Sequence, residues 1–211
     1  MNVESIIVGA FEVNCYLVVN PAREVWVVDP GADAPMLLER IARAGKTVRG
    51  YLLTHGHADH ICGLAELLQK HPAPVLLHPA DAAWAFGELN QILPYYPRPV
   101  RPAESLLQWP DNGRVDAGDE VFEIMPTPGH TPGGVCYYLP RSGILFAGDT
   151  LFQGTVGRTD LPGGDGRTLA ASLKTLRRLP EQTVVHPGHG PSTTMGAELR
   201  QNMFLRPHAA L

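Results

Sequence analysis

From Thr54 to His60 the chain reads Thr-His-Gly-His-Ala-Asp-His, which places three imidazoles (His55, His57, His60) and one carboxylate (Asp59) within six residues. Imidazole and carboxylate are the usual ligands of Zn²⁺ and also suit Fe and Mn. So dense a set of titratable groups is costly to bury unpaired, and a bound cation offsets that cost. Three more residues of ligand type stand in similar settings: His130 in Pro128-Gly129-His130, Asp149 in Gly148-Asp149, and His189 in Pro187-Gly188-His189. One catalytic Zn²⁺ takes about three protein ligands and keeps a position open. Seven donors therefore suit two ions with one carboxylate shared. Two ions roughly 3.5–4 Å apart can hold a bridging hydroxide at neutral pH and polarise a carbonyl or phosphoryl oxygen. The spacing points to a dinuclear metallohydrolase.

These residues need elements to aim them, and the hydrophobic pattern supplies candidates. Ser5–Val8, Asn14–Val19 and Glu24–Asp29 read as strands, rich in Val, Ile and Tyr and broken by turn residues. Asp33 is placed to cap a helix carrying Met36, Leu37, Ile41 and Ala44, stopped by Gly45. An apolar strand at Val48–Leu53 runs into the His-rich loop. A helix is expected over Gly63–Lys70, a strand over Val75–His78 and a short helix over Asp81–Phe86. Residues 90–112, with five prolines, read as a connector. Strands follow at Val121–Met125, Val135–Leu139, Ile144–Ala147 and Thr183–His186, so His130, Asp149 and His189 each sit just past one. A glycine-rich loop covers Gly154–Gly166. Leu169, Leu173, Leu176 and Leu179 recur at helical spacing, and Thr194 is placed to cap a last helix reaching Phe204. Runs of strands with helices between and after them predict a layered α/β chain with at least one mixed or antiparallel sheet. Loops at one sheet edge are where a rigid scaffold displays function.

The pattern His-x-His-x-Asp-His, then a distant His, a Gly-Asp after a strand and a final Gly-His, resembles the metallo-β-lactamase superfamily. Within it the chain is most similar to short hydrolases of the glyoxalase II (hydroxyacylglutathione hydrolase) type. The supporting stretches are Asn14-Cys15-Tyr16-Leu17, Asp29-Pro30-Gly31, Pro128–Gly133, Gly148–Phe152, Gly157–Asp160, Pro187–Ser192 and Asn202–Leu205. The resemblance implies an αββα sandwich, two mixed sheets flanked by helices, formed by residues 1–211 as a single domain. It implies two divalent ions, Zn first and Fe or Mn as alternatives. His55, His57 and His130 would hold one, Asp59, His60 and His189 the other, and Asp149 would bridge them. Asp59 is also cast as the catalytic residue. A hydroxide bridging the ions would attack a small-molecule thioester.

Departures from that type are informative. Classical members follow the last metal His with an acidic residue and a tyrosine that helps hold glutathione. Here Gly190 and Pro191 stand there, and the chain ends at Leu211 without the C-terminal helical domain that binds the tripeptide. Asp149 at the bridging position argues against lactamases with a cysteine ligand there. The persulfide dioxygenases of the superfamily are similar too; one Fe(II) would then sit on His55, His130 and Asp149.

Other candidates carry two readings each. Arg158 and Asp160 read first as an ion pair fixing a loop, with an anionic-substrate contact for Arg158 as the alternative. Tyr95 and Tyr96 either line a substrate mouth or pack. Cys62 reads as a small buried residue. His71, His78, His186 and His208 read as structural or surface residues. The formal charge of −4, with no polybasic cluster, argues against a protein that depends on broad phosphate contacts. Three scattered cysteines do not make a disulfide framework. The odd count, the absence of a basic leader and the absence of an apolar run of about 20 residues predict a cytoplasmic chain that does not span a membrane.

Overall fold

The computed structural model describes residues 1–45 and 47–206. His208 lies outside them. Two six-stranded sheets dominate. The first contains β1 (Asn2–Val8), β2 (Val13–Val19), β3 (Glu24–Val28), β4 (Thr47–Leu52), β5 (Val75–Leu76) and β6 (Leu107–Gln108), in that spatial order. The second is built from β7 (Arg114–Asp116), β8 (Val121–Pro126), β9 (Val135–Leu139), β10 (Ile144–Gly148), β13 (Val184–Pro187) and β14 (Thr193–Thr194), ordered β14-β13-β10-β9-β8-β7. Both sheets are mixed: β3 to β6 pair in parallel, as do β10 and β13, and the remaining pairs are antiparallel. A small hairpin joins β11 (Leu151–Phe152) to β12 (Thr155–Val156).

Period-two alternation explains the layers. On β2, Tyr16 and Val18 face the second sheet, where Trp26, Val28 and Leu52 meet Phe122, Tyr137 and Phe146. Cys15, Leu17 and Val19 face the other way, onto α1 (Ala34–Ala44) and α3 (Leu64–Lys70) through Leu37, Ile41, Leu64 and Leu67. The second sheet mirrors this. Cys136, Tyr138, Leu145 and Ala147 pack outward on α5 (Gly166–Leu176) and α6 (Met195–Gln201) through Leu169, Leu173, Leu176 and Met195. Strands covered on both faces are largely apolar, which is why β9 reads as a continuous hydrophobic run and β2 as one after Asn14. The αββα sandwich expected from the sequence is the observed one.

Several local expectations are corrected. Asp33 precedes α1 with φ 53° and makes no side-chain cap; its carboxylate accepts the Gly9 N–H instead. The helix expected over Asp81–Phe86 is one turn, α4 (Pro79–Ala82), followed by further turns. The connector 90–112 supplies an edge strand, β6, and the loop 154–166 supplies β12. The last helix breaks at Asn202, whose side chain caps the 3₁₀ turn Met203–Leu205 by accepting the Phe204 N–H. Asp59 and His60, expected on a loop, ride on a one-turn helix, α2 (Ala58–Ile61). Among the described residues no helix is long and apolar enough to cross a membrane.

One contact shows how closely helix and loop fit. Gly129, just before His130, has φ 134°, and a Cβ there would lie 2.3 Å from the Leu169 nitrogen at the start of α5. Backbone conformation and space both demand glycine. Gly129→Ala is expected to cost about 2–4 kcal/mol from strain and overpacking, read as a fall in the urea midpoint with the slope unchanged.

Candidate metal centre

The donors arrive from the ends of both sheets. β4 of the first sheet delivers His55 and His57, and the α2 turn that follows turns Asp59 and His60 to the same point. In the second sheet His130 follows β8, Asp149 follows β10 and His189 follows β13. The donor atoms of His55, His57 and His130 lie within 4.8 Å of one another, and so do those of Asp59, His60 and His189. Asp149 stands between the two groups. Its Oδ2 is 3.6 Å from Nε2 of both His130 and His189, and its Oδ1 is 3.4 Å from His60 Nε2. The structure thus brings all seven sequence-derived candidates to one place.

Four of the five imidazoles are held by their far nitrogen. His130 Nδ1–H donates to the Arg158 carbonyl at 2.7 Å and His189 Nδ1–H to the Phe11 carbonyl at 2.9 Å. His60 Nδ1 pairs with Asp29 Oδ2 at 3.0 Å. His55 Nδ1–H donates to Thr54 Oγ1 at 3.1 Å, whose own hydrogen goes to Asp29 Oδ2. All four turn Nε2 inward, toward the Asp149 carboxylate and the other donors. His57 turns the other way, with Nδ1 3.0 Å from His130 Nε2. Such outer partners fix tautomer and ring orientation at metal sites.

The donor set fits divalent ions. His55 Nε2, His60 Nε2 and Asp149 Oδ1 are buried without a hydrogen-bond partner. Orphaned polar atoms are costly, and three of them pointed at one spot suit a cation. The charges agree. Burial depresses His60, yet Asp149, Asp59 and Asp29 overcome it and carry its pKa to about 10. Burial, then the neighbouring His130, push His57 down to about 3. Burial raises Asp59, but His60 and His189 prevail and hold it near 2. Three carboxylates therefore stabilise positive charge at this point, whether a proton or a metal carries it.

A cavity of about 670 Å³ opens above the donors, with His57, Asp59, His130, Asp149 and His189 on its floor and Arg158 on its wall. The Arg158 guanidinium binds Asp160 through two contacts of 2.6 and 2.8 Å. Tyr95 is exposed and packs on Phe11, with ring centroids 5.7 Å apart. Tyr96 is 1% exposed, and its hydroxyl accepts the Phe11 N–H, so its ring is out of reach of a ligand and supports the Phe11 loop instead. Burial raises the Cys62 thiol to about 12, so it is no ready nucleophile. Half-buried His186 stacks on Phe146 and pairs with Ser192 Oγ at 2.7 Å, a structural role.

The model of the metallo-beta-lactamase superfamily matches residues 8–189. The chain belongs to that superfamily. A probable metallo-hydrolase, YqgX of Bacillus subtilis, is 38% identical, the match covering 94% of each chain. Hydroxyacylglutathione hydrolase GloC of Haemophilus influenzae is 36% identical over 97% of this chain and 98% of its own. Among solved structures, the BLEG-1 B3 metallo-beta-lactamase superposes with a TM-score of 0.88 at 36% identity, covering 97% and 99% of the two chains. TTHA1623, in a di-iron-bound form, superposes with a TM-score of 0.86 at 39% identity, covering 96% and 100%.

Within this superfamily frame, two organising residues escaped the reading of the donors. Asp29 follows β3 before Pro30-Gly31, the same strand-end setting that singled out Asp149, so the pattern could have found it. Asp81 gave no such signal. Its buried carboxylate accepts from Gly56 N at 2.9 Å, Thr131 Oγ1 at 2.7 Å and Gly133 N at 2.6 Å, joining the His55–His57 loop to the His130 loop. Gly188 is a third constraint. A Cβ there would meet Asp149 Oδ1 at 2.2 Å and His60 Cε1 at 2.8 Å. Gly188→Ala is expected to weaken metal binding by about ten- to a hundredfold, seen by titration with a chromophoric chelator, while the circular dichroism spectrum stays the same.

Proposed function

We propose that this chain is a dinuclear metal-dependent hydrolase of thioesters, of the hydroxyacylglutathione hydrolase type. The observation that carries the reading is Asp149 standing within 3.6 Å of histidines from both donor groups. His55, His57 and His130 would hold one ion, Asp59, His60 and His189 the other, and Asp149 would be shared. The mixed nitrogen and oxygen donors suit Zn first, with Fe or Mn as alternatives. Such ions supply Lewis acidity and lower the pKa of water.

The residues of the chain do the rest. His130 and His189 are locked by the Arg158 and Phe11 carbonyls, so their lone pairs are aimed before substrate arrives. Asp59 reaches the cavity floor with Oδ2 3.6 Å from His189 Nε2, so it stays a carboxylate and would help hold and orient the second ion beside the reacting carbonyl. The similarity to GloC supports the thioester class.

Elemental analysis of untagged protein, paired with release of free thiol from S-D-lactoylglutathione, tests this. About two ions per chain and metal-dependent thiol release are expected. A single Fe per chain, with oxygen consumption on glutathione persulfide and no thioester hydrolysis, would overturn it.

A further inference from the structure

The wall of the cavity differs from its floor. Above the donors it is built from Phe11, Ile92, Phe152, Val156 and Leu161, with Thr155 and Arg158 as its polar members. Apolar surface continues outward past Ile92 to Leu93 and Tyr95, which are 69% and 59% exposed. These side chains come from three separate segments that meet only at the mouth. Exposed apolar surface that runs unbroken into a reactive recess marks a ligand path.

Charge tells the same story. Arg158 is the lysine- or arginine-type cation among the cavity-lining residues, and Asp160 holds its guanidinium through both carboxylate oxygens. A thioester of glutathione brings two carboxylates and one ammonium. Its carboxylates would meet an apolar wall and a guanidinium already matched by Asp160, and charge moved against apolar surface without a partner is penalised.

Resting on the thioester reading above, we infer that the preferred substrates are uncharged thioesters whose group beyond the scissile bond is apolar, seated on the Phe11–Ile92–Phe152–Leu161 wall. The apolar wall sets the preference, and the Arg158–Asp160 pair, although exposed, lessens the pull of the guanidinium on an anionic carrier. The reaction is ordinary hydrolysis: water adds to the carbonyl carbon, the C–S bond breaks, and a carboxylic acid and a thiol leave.

Two thioesters with the same D-lactoyl group, one on glutathione and one on benzyl mercaptan, separate the possibilities on metal-loaded, full-length protein. The S-benzyl compound is expected to have a kcat/KM at least about tenfold higher, the scale of discrimination an apolar pocket gives. Asp160→Asn frees Arg158 and should shift the ratio toward the glutathione compound. Leu161→Ser should lower kcat/KM for the S-benzyl compound, mainly through KM. Equal rates, or a preference for glutathione, with Asp160→Asn leaving the ratio unchanged, would overturn the inference while the thioester reading stands. Hydrolysis of neither compound by protein carrying two ions would overturn both.

Discussion

Asp149→Ala is expected to release both ions and to slow thioester hydrolysis by at least about a thousandfold, equivalent to about 4 kcal/mol of lost transition-state stabilisation. Substituting a single histidine weakens one donor group and leaves the other intact. Asp149 is different because each of its oxygens faces Nε2 atoms, Oδ2 at 3.6 Å from His130 and His189 and Oδ1 at 3.4 Å from His60. Its removal also takes away one of the three carboxylates that favour a cation there. The fold should survive, since Asp149 Oδ1 has no hydrogen-bond partner within the protein and the side chain borders the cavity. His71→Ala is the control. That side chain belongs to neither donor group and does not line the cavity, and both metal content and rate should match the parent. Elemental analysis and thiol release on the two variants decide the matter; equal behaviour would count against the assignment of Asp149.

Asp81→Ala should act through architecture. The carboxylate is fully buried and accepts three hydrogen bonds, from Gly56 N, Thr131 Oγ1 and Gly133 N. Alanine leaves those three donors without a partner in a space too confined for ready hydration. Losing a buried network of this kind costs about 3–5 kcal/mol. Measuring the urea midpoint with chelator present isolates this cost from metal linkage. His57 and His130 lie on the two loops that Asp81 joins, so metal should bind more weakly as well. Asp81→Asn keeps one acceptor oxygen and should fall between the two. A loss below about 1 kcal/mol would show that the loops hold their positions without the carboxylate.

The candidate donors were legible in the sequence because each cluster follows an apolar run and contains a glycine, a local signature that survives without knowledge of the fold. Leu169, Leu173 and Leu176 likewise announced α5, and the apolar runs announced β2 and β9. What stayed hidden depends on distant partners. β6 and β14 are two residues each, too short to show a period, and exist because a neighbouring strand pairs with them, while β5, expected over Val75–His78, pairs only at Val75–Leu76. Asp81 is one acidic residue in an apolar stretch, and its meaning comes from Gly133, 52 residues away. The pairing of Tyr96 with Phe11 spans 85 residues. Asp33 followed the rule for helix caps and was overruled by a tertiary acceptor role toward Gly9.

The donors come from both sheets, and this has a mechanical consequence. The first sheet and α2 supply His55, His57, Asp59 and His60, while the second supplies His130, Asp149 and His189. The sheets otherwise meet through side-chain packing and a few bonds such as Asn14 N–H to the Gly188 carbonyl and Tyr16 O–H to the Pro187 carbonyl. Ions held jointly would act as staples across the seam, tying residues as far apart as Asp59 and His189 as a cross-link does. Heat resistance would then follow free metal by mass action, gaining about 2.7 kcal/mol at a hundredfold excess over Kd. A protein starved of metal would lose its grip between the layers along with its chemistry.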